Sequence, residues 1–250
     1  MLCKYLSATV EIMVTDYTYS YMCIPKIAWV YLFLLLAAIK FTKVVVHTVS
    51  YYLLSPRIPI RSTIKYKSSD VTVIVPTVSD FGAEFQSCIK SIVANKPARI
   101  IIAMIGPTKQ ALDVCNTICP KTIEVVSLEF PDKRRQFLTA AGLVDTKIIA
   151  YADDHVFWPE TFLQSALISF DDASVGLVGT LKRVIRQRGN SLLESALNYI
   201  AVIYLERHNF ECTATYNLDG GAFVISGRSA LVRSEIVQTK EFNHEFLHGK

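Results

Sequence analysis

The chain has 250 residues, 51% hydrophobic and only 19% charged, which allows one large α/β domain with an appendage and is rich in apolar residues for a soluble protein. A net charge of +4 is too mild to argue for a nucleic-acid partner. The six cysteines, at 3, 23, 88, 115, 119 and 212, form no Cys-x-x-Cys pair, which disfavours a disulfide framework or a zinc site and reads as reduced, mostly buried thiols in a cytosol-facing domain.

Residues 1–25 interleave Leu2, Tyr5, Leu6, Val10 and Ile12 with Lys4, Glu11 and Asp16, and match neither a signal peptide nor a spanning helix. Residues 26–54 read as a transmembrane helix, with an amphitropic or buried helix as the alternative. Thirteen uninterrupted apolar residues, 27–39, fall short of the roughly 20 a bilayer needs. The helix spans only if it runs on to about Val46, with Lys40 and Lys43 snorkelling to the interface. Arg57, Arg61, Lys65 and Lys67 follow it, so the positive-inside rule places the carboxyl-terminal side in the cytosol, and membrane lipid is an expected partner. Residues 55–70, punctuated by Pro56 and Pro59, read as a basic linker.

From there short apolar runs alternate with helical periodicity. Strands are expected at 71–75, 99–105, 122–128, 147–151 and 174–178, and helices at 82–94, 108–118, 132–144 and 158–170. That alternation predicts a mainly parallel sheet with helices on both faces. A long helix is expected over 190–208, apolar nearly all round near its end and so either well buried or leaning on a membrane. A strand over 222–225 and a short helix over 229–237 complete the pattern.

The chemistry concentrates in residues 147–160. A buried-type strand delivers Asp153, Asp154 and His155 to its carboxyl end, where open α/β sheets bind ligands, and Trp158-Pro159-Glu160 then opens a helix. Two carboxylates and an imidazole there suit a hard cation that bridges to phosphate; a helix-capping acidic turn is the alternative. Pro76, Thr77 and Asp80 follow the first strand at the same edge, where Asp80 can accept from a ribose or base, or Ser79 or Asp80 can cap the next helix. Lys133, Arg134 and Arg135 crowd the positive end of a helix dipole, which makes sense if a diphosphate sits there, although a solvated basic face is the ordinary reading. Lys182, Arg183, Arg186 and Arg188 form a second basic run suited to phosphates or lipid headgroups. Glycines at 220, 221 and 227 let backbone approach a ligand closely, although turns alone would also use them. Dinucleotide, P-loop and α/β-hydrolase motifs are absent from the sequence.

Taken together, Val73-Ile74-Val75-Pro76-Thr77 with Asp80, the 133–135 cluster with Gly142, Asp153-Asp154-His155-Val156-Phe157-Trp158-Pro159, and Gly220-Gly221 through Ser226-Gly227-Arg228 resemble family 2 glycosyltransferases. The likeness is to membrane polysaccharide synthases of the hyaluronan and cellulose synthase kind and to a fungal capsule-type branch. It implies a GT-A, Rossmann-like α/β domain over 71–250, preceded by the membrane helix. It also implies inverting, metal-dependent transfer from a nucleotide-sugar donor, a UDP-sugar, to a glycan acceptor. Asp153, Asp154 and His155 would then hold Mn2+ or Mg2+, with His155 in the place of the family's second acid. Pro76, Thr77, Asp80, Arg134 and Arg135, with both acids, would meet the donor, and Gly227 and Arg228 the acceptor side. The resemblance places the catalytic domain in the cytosol, at the plasma membrane or Golgi. Two departures stand out. The second strand ends Ala103-Met104-Ile105-Gly106 where the family has an acid for uracil, and the general base is expected beyond Lys250, in a chain truncated at its C-terminus. A catalytically inactive nucleotide-sugar-binding scaffold and a metal-dependent phosphoester hydrolase are the competing classes.

Overall fold

The computed structural model describes residues 26–54, 65–78, 80–185, 191–221, 224–225 and 227–249. The chain divides into two units between Ser55 and Pro56. In the first, helix α1 (Lys26–Leu53) runs unbroken for 28 residues, about 42 Å at 1.5 Å per residue. Its span from Ile27 to Leu53 contains an 18-residue window with a mean hydropathy of 1.9 and is long and apolar enough to cross a membrane. The lysines at 40 and 43 do not interrupt it, because Lys is a good helix former.

The second unit is built on a six-stranded sheet in the order β3-β2-β1-β4-β6-β5. The strands are β1 (Val71–Pro76), β2 (Arg99–Ile105), β3 (Ile123–Leu128), β4 (Ile148–Ala152), β5 (Leu177–Gly179) and β6 (Ser229–Arg233). β3, β2, β1 and β4 are parallel, whereas β6 lies antiparallel to both β4 and β5. Between them run helices α2 (Ala83–Ala94), α3 (Lys109–Ile118), α4 (Lys133–Ala141), α5 (Phe162–Leu167) and α6 (Leu192–Asp219), and α7 (Ser234–Val237) and α8 (Lys240–His248) follow β6. Every residue of β1 is buried, as expected for a strand covered on both faces. Val71, Val73 and Val75 pack with Phe85, Ile89 and Ile92 of α2 on one face. Ile74 packs with Phe137, Ala140 and Ala141 of α4 on the other. Strand order reverses between β1 and β4: β2 and β3 extend the sheet one way from β1, and β4 returns to its other side. Such a switch point opens a crevice at the carboxyl ends of the two strands.

The sheet and its helices stand where the sequence pattern puts them, with corrections after β4. No helix forms at Trp158. Its N–H donates to Ser91 Oγ (3.0 Å), and the Pro159 carbonyl accepts from Asn95 Nδ2 (3.0 Å), so side chains of α2 and of the residue that ends it take bonds a helix would use. Helix α5 begins only at Phe162 and gives way to a 3₁₀ turn over Ile168–Asp171. The long helix runs on to Asp219 and ends at Gly220, whose φ of 74° is left-handed. Ser229–Arg233 is not helical but a strand, because its alternation fits Leu231 into the core against Ala150 of β4. Val224 and Ile225 belong to no strand, and Ala222 and Phe223 lie outside the described residues, as do Arg57, Arg61, Ser79, Arg186, Arg188 and Ser226. Tyr66, read from sequence as linker, is buried under Phe170 and bonded to Arg233.

Candidate active site

β1 and β4 are paired in register up to Ile74 and Tyr151, so the residues that follow each strand emerge side by side at the switch point. After β4 the chain turns tightly through Asp153, Asp154 and His155. The turn is held by a bond from Val156 N to the Asp153 carbonyl (3.2 Å) and by the buried Cys88 thiol, 3.1 Å from the Val156 carbonyl. Burial pushes that thiol up to about 12, so it stays a neutral donor to the turn.

The Asp153 carboxylate is nearly buried, with 9% of its side chain exposed, and its Oδ1 accepts from Lys133 Nζ (2.6 Å) and Tyr151 OH (2.8 Å). Burial raises the Tyr151 phenol far above its ordinary range, and the bond to Asp153 adds to the shift, so Tyr151 remains a donor. The Asp154 carboxylate faces outward. Its Oδ2 accepts from Thr77 Oγ1 (2.5 Å), and its Oδ1 lies 3.0 Å from Nδ1 of the half-exposed His155. Thr77 follows Pro76, the last residue of β1, and is clamped in turn. Its N–H donates to the Ala103 carbonyl (2.9 Å), and the buried Gln136 amide donates to the carbonyls of Thr77 (3.0 Å) and Ala103 (2.8 Å). Since α5 starts at Phe162 with Thr161 at its cap position, Asp153 is not a helix cap.

The other expected residues divide. Arg228, in the turn before β6, accepts from the Asp153 N–H through its carbonyl (2.9 Å), so the 227–228 segment abuts the acidic turn. Asp80 accepts from Gly82 N (3.1 Å) at the start of α2, and its carbonyl accepts from Gln110 Nε2 (2.9 Å). Next to it Phe81 holds a left-handed φ of 60°, a strained backbone for a bulky residue. Of the three cations on α4, Lys133 is the one that reaches the carboxylates. Arg134 donates to the Gly249 carbonyl (3.3 Å) and lies over the Phe246 ring, and Arg135 pairs with Asp132 at 3.4 Å. Asp132 also caps α4 through the N–H groups of Arg134 and Arg135, so the chain itself supplies an anion at that dipole.

Tyr151, Gln136 and Cys88 were not singled out from sequence as site residues, and Lys133 was read only as part of the 133–135 cluster, whose donor role the resemblance carried to Arg134 and Arg135. Lys133 had a usable signal, because side chains in a first helical turn lean back toward the helix N-terminus and hence toward the sheet's carboxyl edge. For a divalent cation, the donors fit in kind: two carboxylates and an imidazole in consecutive residues. In the geometry present, Asp153 Oδ1 is engaged by Lys133 and Tyr151, and the described residues contain no group of three or more His, Cys, Asp or Glu side chains arranged to hold a metal.

Acidic residues at the switch point of a mainly parallel sheet, backed by an antiparallel strand, define the class as GT-A-like. A mannosyltransferase from Pyrobaculum calidifontis, solved in complex with GDP-Man and Mn2+, shares this fold with a TM-score of 0.57 at 17% identity, covering 81% of this chain and 56% of that one. The family model described as glycosyltransferase like family 2 matches residues 69–249, and the chain belongs to that family. It is 36% identical over 222 residues to a type 2 glycosyltransferase of Gibberella zeae and 35% identical over 220 residues to one of Pyricularia oryzae. Each alignment takes in 88% of this chain but only 41% and 45% of those relatives, so the chain spans less than half their length.

Proposed function

We propose that this chain carries the donor site of a membrane-anchored glycosyltransferase that moves a sugar from a nucleotide diphosphate, a UDP-sugar, to a glycan acceptor in polysaccharide synthesis. The observation that carries this reading is the meeting of Asp153 and Asp154 with Thr77 and Lys133 at the β1/β4 switch point. Asp153, Asp154 and His155 are the residues that would hold Mn2+ or Mg2+, which supplies positive charge to a leaving diphosphate when bound. Lys133 adds a second cation to the same place, and its ammonium already balances Asp153. Tyr151 and the Arg228 carbonyl fix the Asp153 side chain and backbone, and Gln136 fixes Thr77. Pro76 and Asp80 border the donor crevice, Arg134 and Arg135 contribute a more distant positive field, and Gly227 with Arg228 faces the acceptor. Helix α1 is the proposed anchor, and the basic residues after it favour a cytosolic domain.

Calorimetric titration of uridine diphosphate into the full chain tests the donor site. Binding is expected to be much tighter with Mn2+ than with a chelator. Asp154→Ala should abolish that metal dependence, and His155→Asp should preserve or strengthen it, since an oxygen ligand replaces nitrogen. Binding of equal strength with and without metal in the unmutated chain overturns the metal-dependent reading. Guanosine diphosphate in the same titration reports on base choice, because β2 ends without an acid for uracil.

A further inference from the structure

Helix α6 has two unlike halves. Its second half carries Glu206, Arg207 and Glu211, and it packs on the domain: Ala214 is buried, and Asn209 exchanges hydrogen bonds with the backbone of Lys182 at 2.7 and 3.4 Å. Its first half, 192–205, has Glu194 as its one charged residue, yet every residue from 191 through 201 is exposed. Leu192 is 92% exposed, Ile200 62% and Tyr204 72%. This inverts a soluble helix, since the polar half is packed and the apolar half stands in the open.

At 3.6 residues per turn, Leu192, Leu193, Leu197, Ile200, Ile203 and Tyr204 fall within an arc of roughly 140°, with Glu194, Ser195 and Asn198 on the other side. That arc is broader than a coiled-coil seam, and two heptads are too short to sustain one, which argues against a second copy as the occupant. Charge argues for lipid. The segment feeding the helix contains Lys182, Arg183, Arg186 and Arg188, and no acid occurs between Asp172 and Glu194. Arg183 is exposed, beside exposed Leu181 and Ile185. Cations next to a broad apolar arc that includes a tyrosine match an anionic bilayer surface, where phosphates meet the former and the headgroup–acyl boundary takes the latter.

We propose that residues 192–205 of α6 lie in the plane of an anionic membrane surface, favoured by the positive charge that the sequence carries ahead of the helix. The proposal rests on the reading above only in that the chain works at a membrane; α6 would be a second, independent contact. The test places a photoreactive benzoylphenylalanine at Tyr204, Phe33 or Leu112 of the full chain, reconstituted in phosphatidylcholine vesicles with or without phosphatidylserine. Leu112, exposed on α3, is the control, and Phe33 reports separately on the α1 anchor.

Irradiation should give lipid adducts at Tyr204 and none at Leu112. The Tyr204 yield should fall several-fold without phosphatidylserine and be lost with Ile200→Glu, whose exposed position leaves the melting curve unchanged. Crosslinks from Tyr204 to a second copy, equal yields at Leu112, or labelling at Phe33 without Tyr204 overturn the proposal, and absence of adducts at both Phe33 and Tyr204 overturns the anchor as well. Adducts at Tyr204 without any at Phe33 sustain the α6 contact and sink the anchor.

Discussion

Gln136 is a buried amide whose nitrogen bonds the carbonyls at the ends of β1 and β2, and through Thr77 it fixes the partner of Asp154. Gln136→Leu keeps the volume but leaves the Thr77 carbonyl without that donor. We expect a loss of about 1–3 kcal/mol in urea denaturation, together with weaker nucleotide binding. Lys133→Met leaves the nearly buried Asp153 carboxylate without its cation, so stability should fall by about 1–3 kcal/mol, and uridine diphosphate affinity should drop about tenfold in the same titration assay. The buried thiols make a pH prediction. Burial raises Cys88 from 9.0 to about 12 and Cys115 from 9.0 to about 11. Well below pH 9 both are protonated in the folded and unfolded chain and contribute no slope. Above it the unfolded chain sheds those protons first, binds fewer than the native state, and stability falls through this window. Cys88→Ala should flatten that alkaline decline in urea midpoints measured from pH 8 to 11; an unchanged slope refutes the assignment.

Among the elements, β6 is the one on which the second half of the sheet depends. Its last residue, Arg233, donates to the carbonyls of Val175 (2.8 Å), Phe170 (3.1 Å) and Asp172 (3.1 Å) and to the Tyr66 hydroxyl (2.9 Å). One planar fork thus ties the start of the domain, the turn after α5 and the strand itself. A lysine cannot reproduce a fork, so Arg233→Lys should cost about 2–3 kcal/mol by urea denaturation. At the far end of α6, Gly220 takes its left-handed φ with open space around its Cα. Gly220→Ala meets no clash there, only the backbone penalty, and should lower stability by roughly 1–2 kcal/mol.

At the scale of the whole molecule, the anchor reading predicts that the full chain sediments with membranes and resists carbonate extraction, because 27 residues from Ile27 to Leu53 form an apolar helix longer than a bilayer core. Recovery in the high-speed supernatant refutes it. In sealed vesicles with the cytosolic side inward, added protease should leave the domain intact; digestion would reverse the proposed topology. The α6 contact adds that a chain lacking residues 1–55 stays membrane-associated at low salt and is released as salt rises, since screening weakens the basic contact.

Local pattern was enough wherever local chemistry decides the outcome. The apolar runs of β1, β2 and β4 are short and, in β1 and β2, rich in β-branched residues, which favours a buried strand over a helix, and the periodicity of α2 and α3 fixes which face they bury, so the sheet and the address of Asp153 and Asp154 were legible. Long-range bonds were not. Trp158 leaves its helix because Ser91 and Asn95, over sixty residues earlier, accept and donate to its backbone region. Residues 229–233 become a strand because β4 offers an unpaired edge, although their own sequence suits a helix as well. Likewise a run of three cations marks a basic helix start, but only packing decides that Lys133 meets Asp153 while Arg134 lies over Phe246 and Arg135 turns to Asp132. Sequence determined the class of protein through its motifs, and the edge where its chemistry sits because the acidic run directly follows a strand of buried type. The tertiary structure decided which side chains converge there, because convergence depends on contacts the chain makes with itself at a distance.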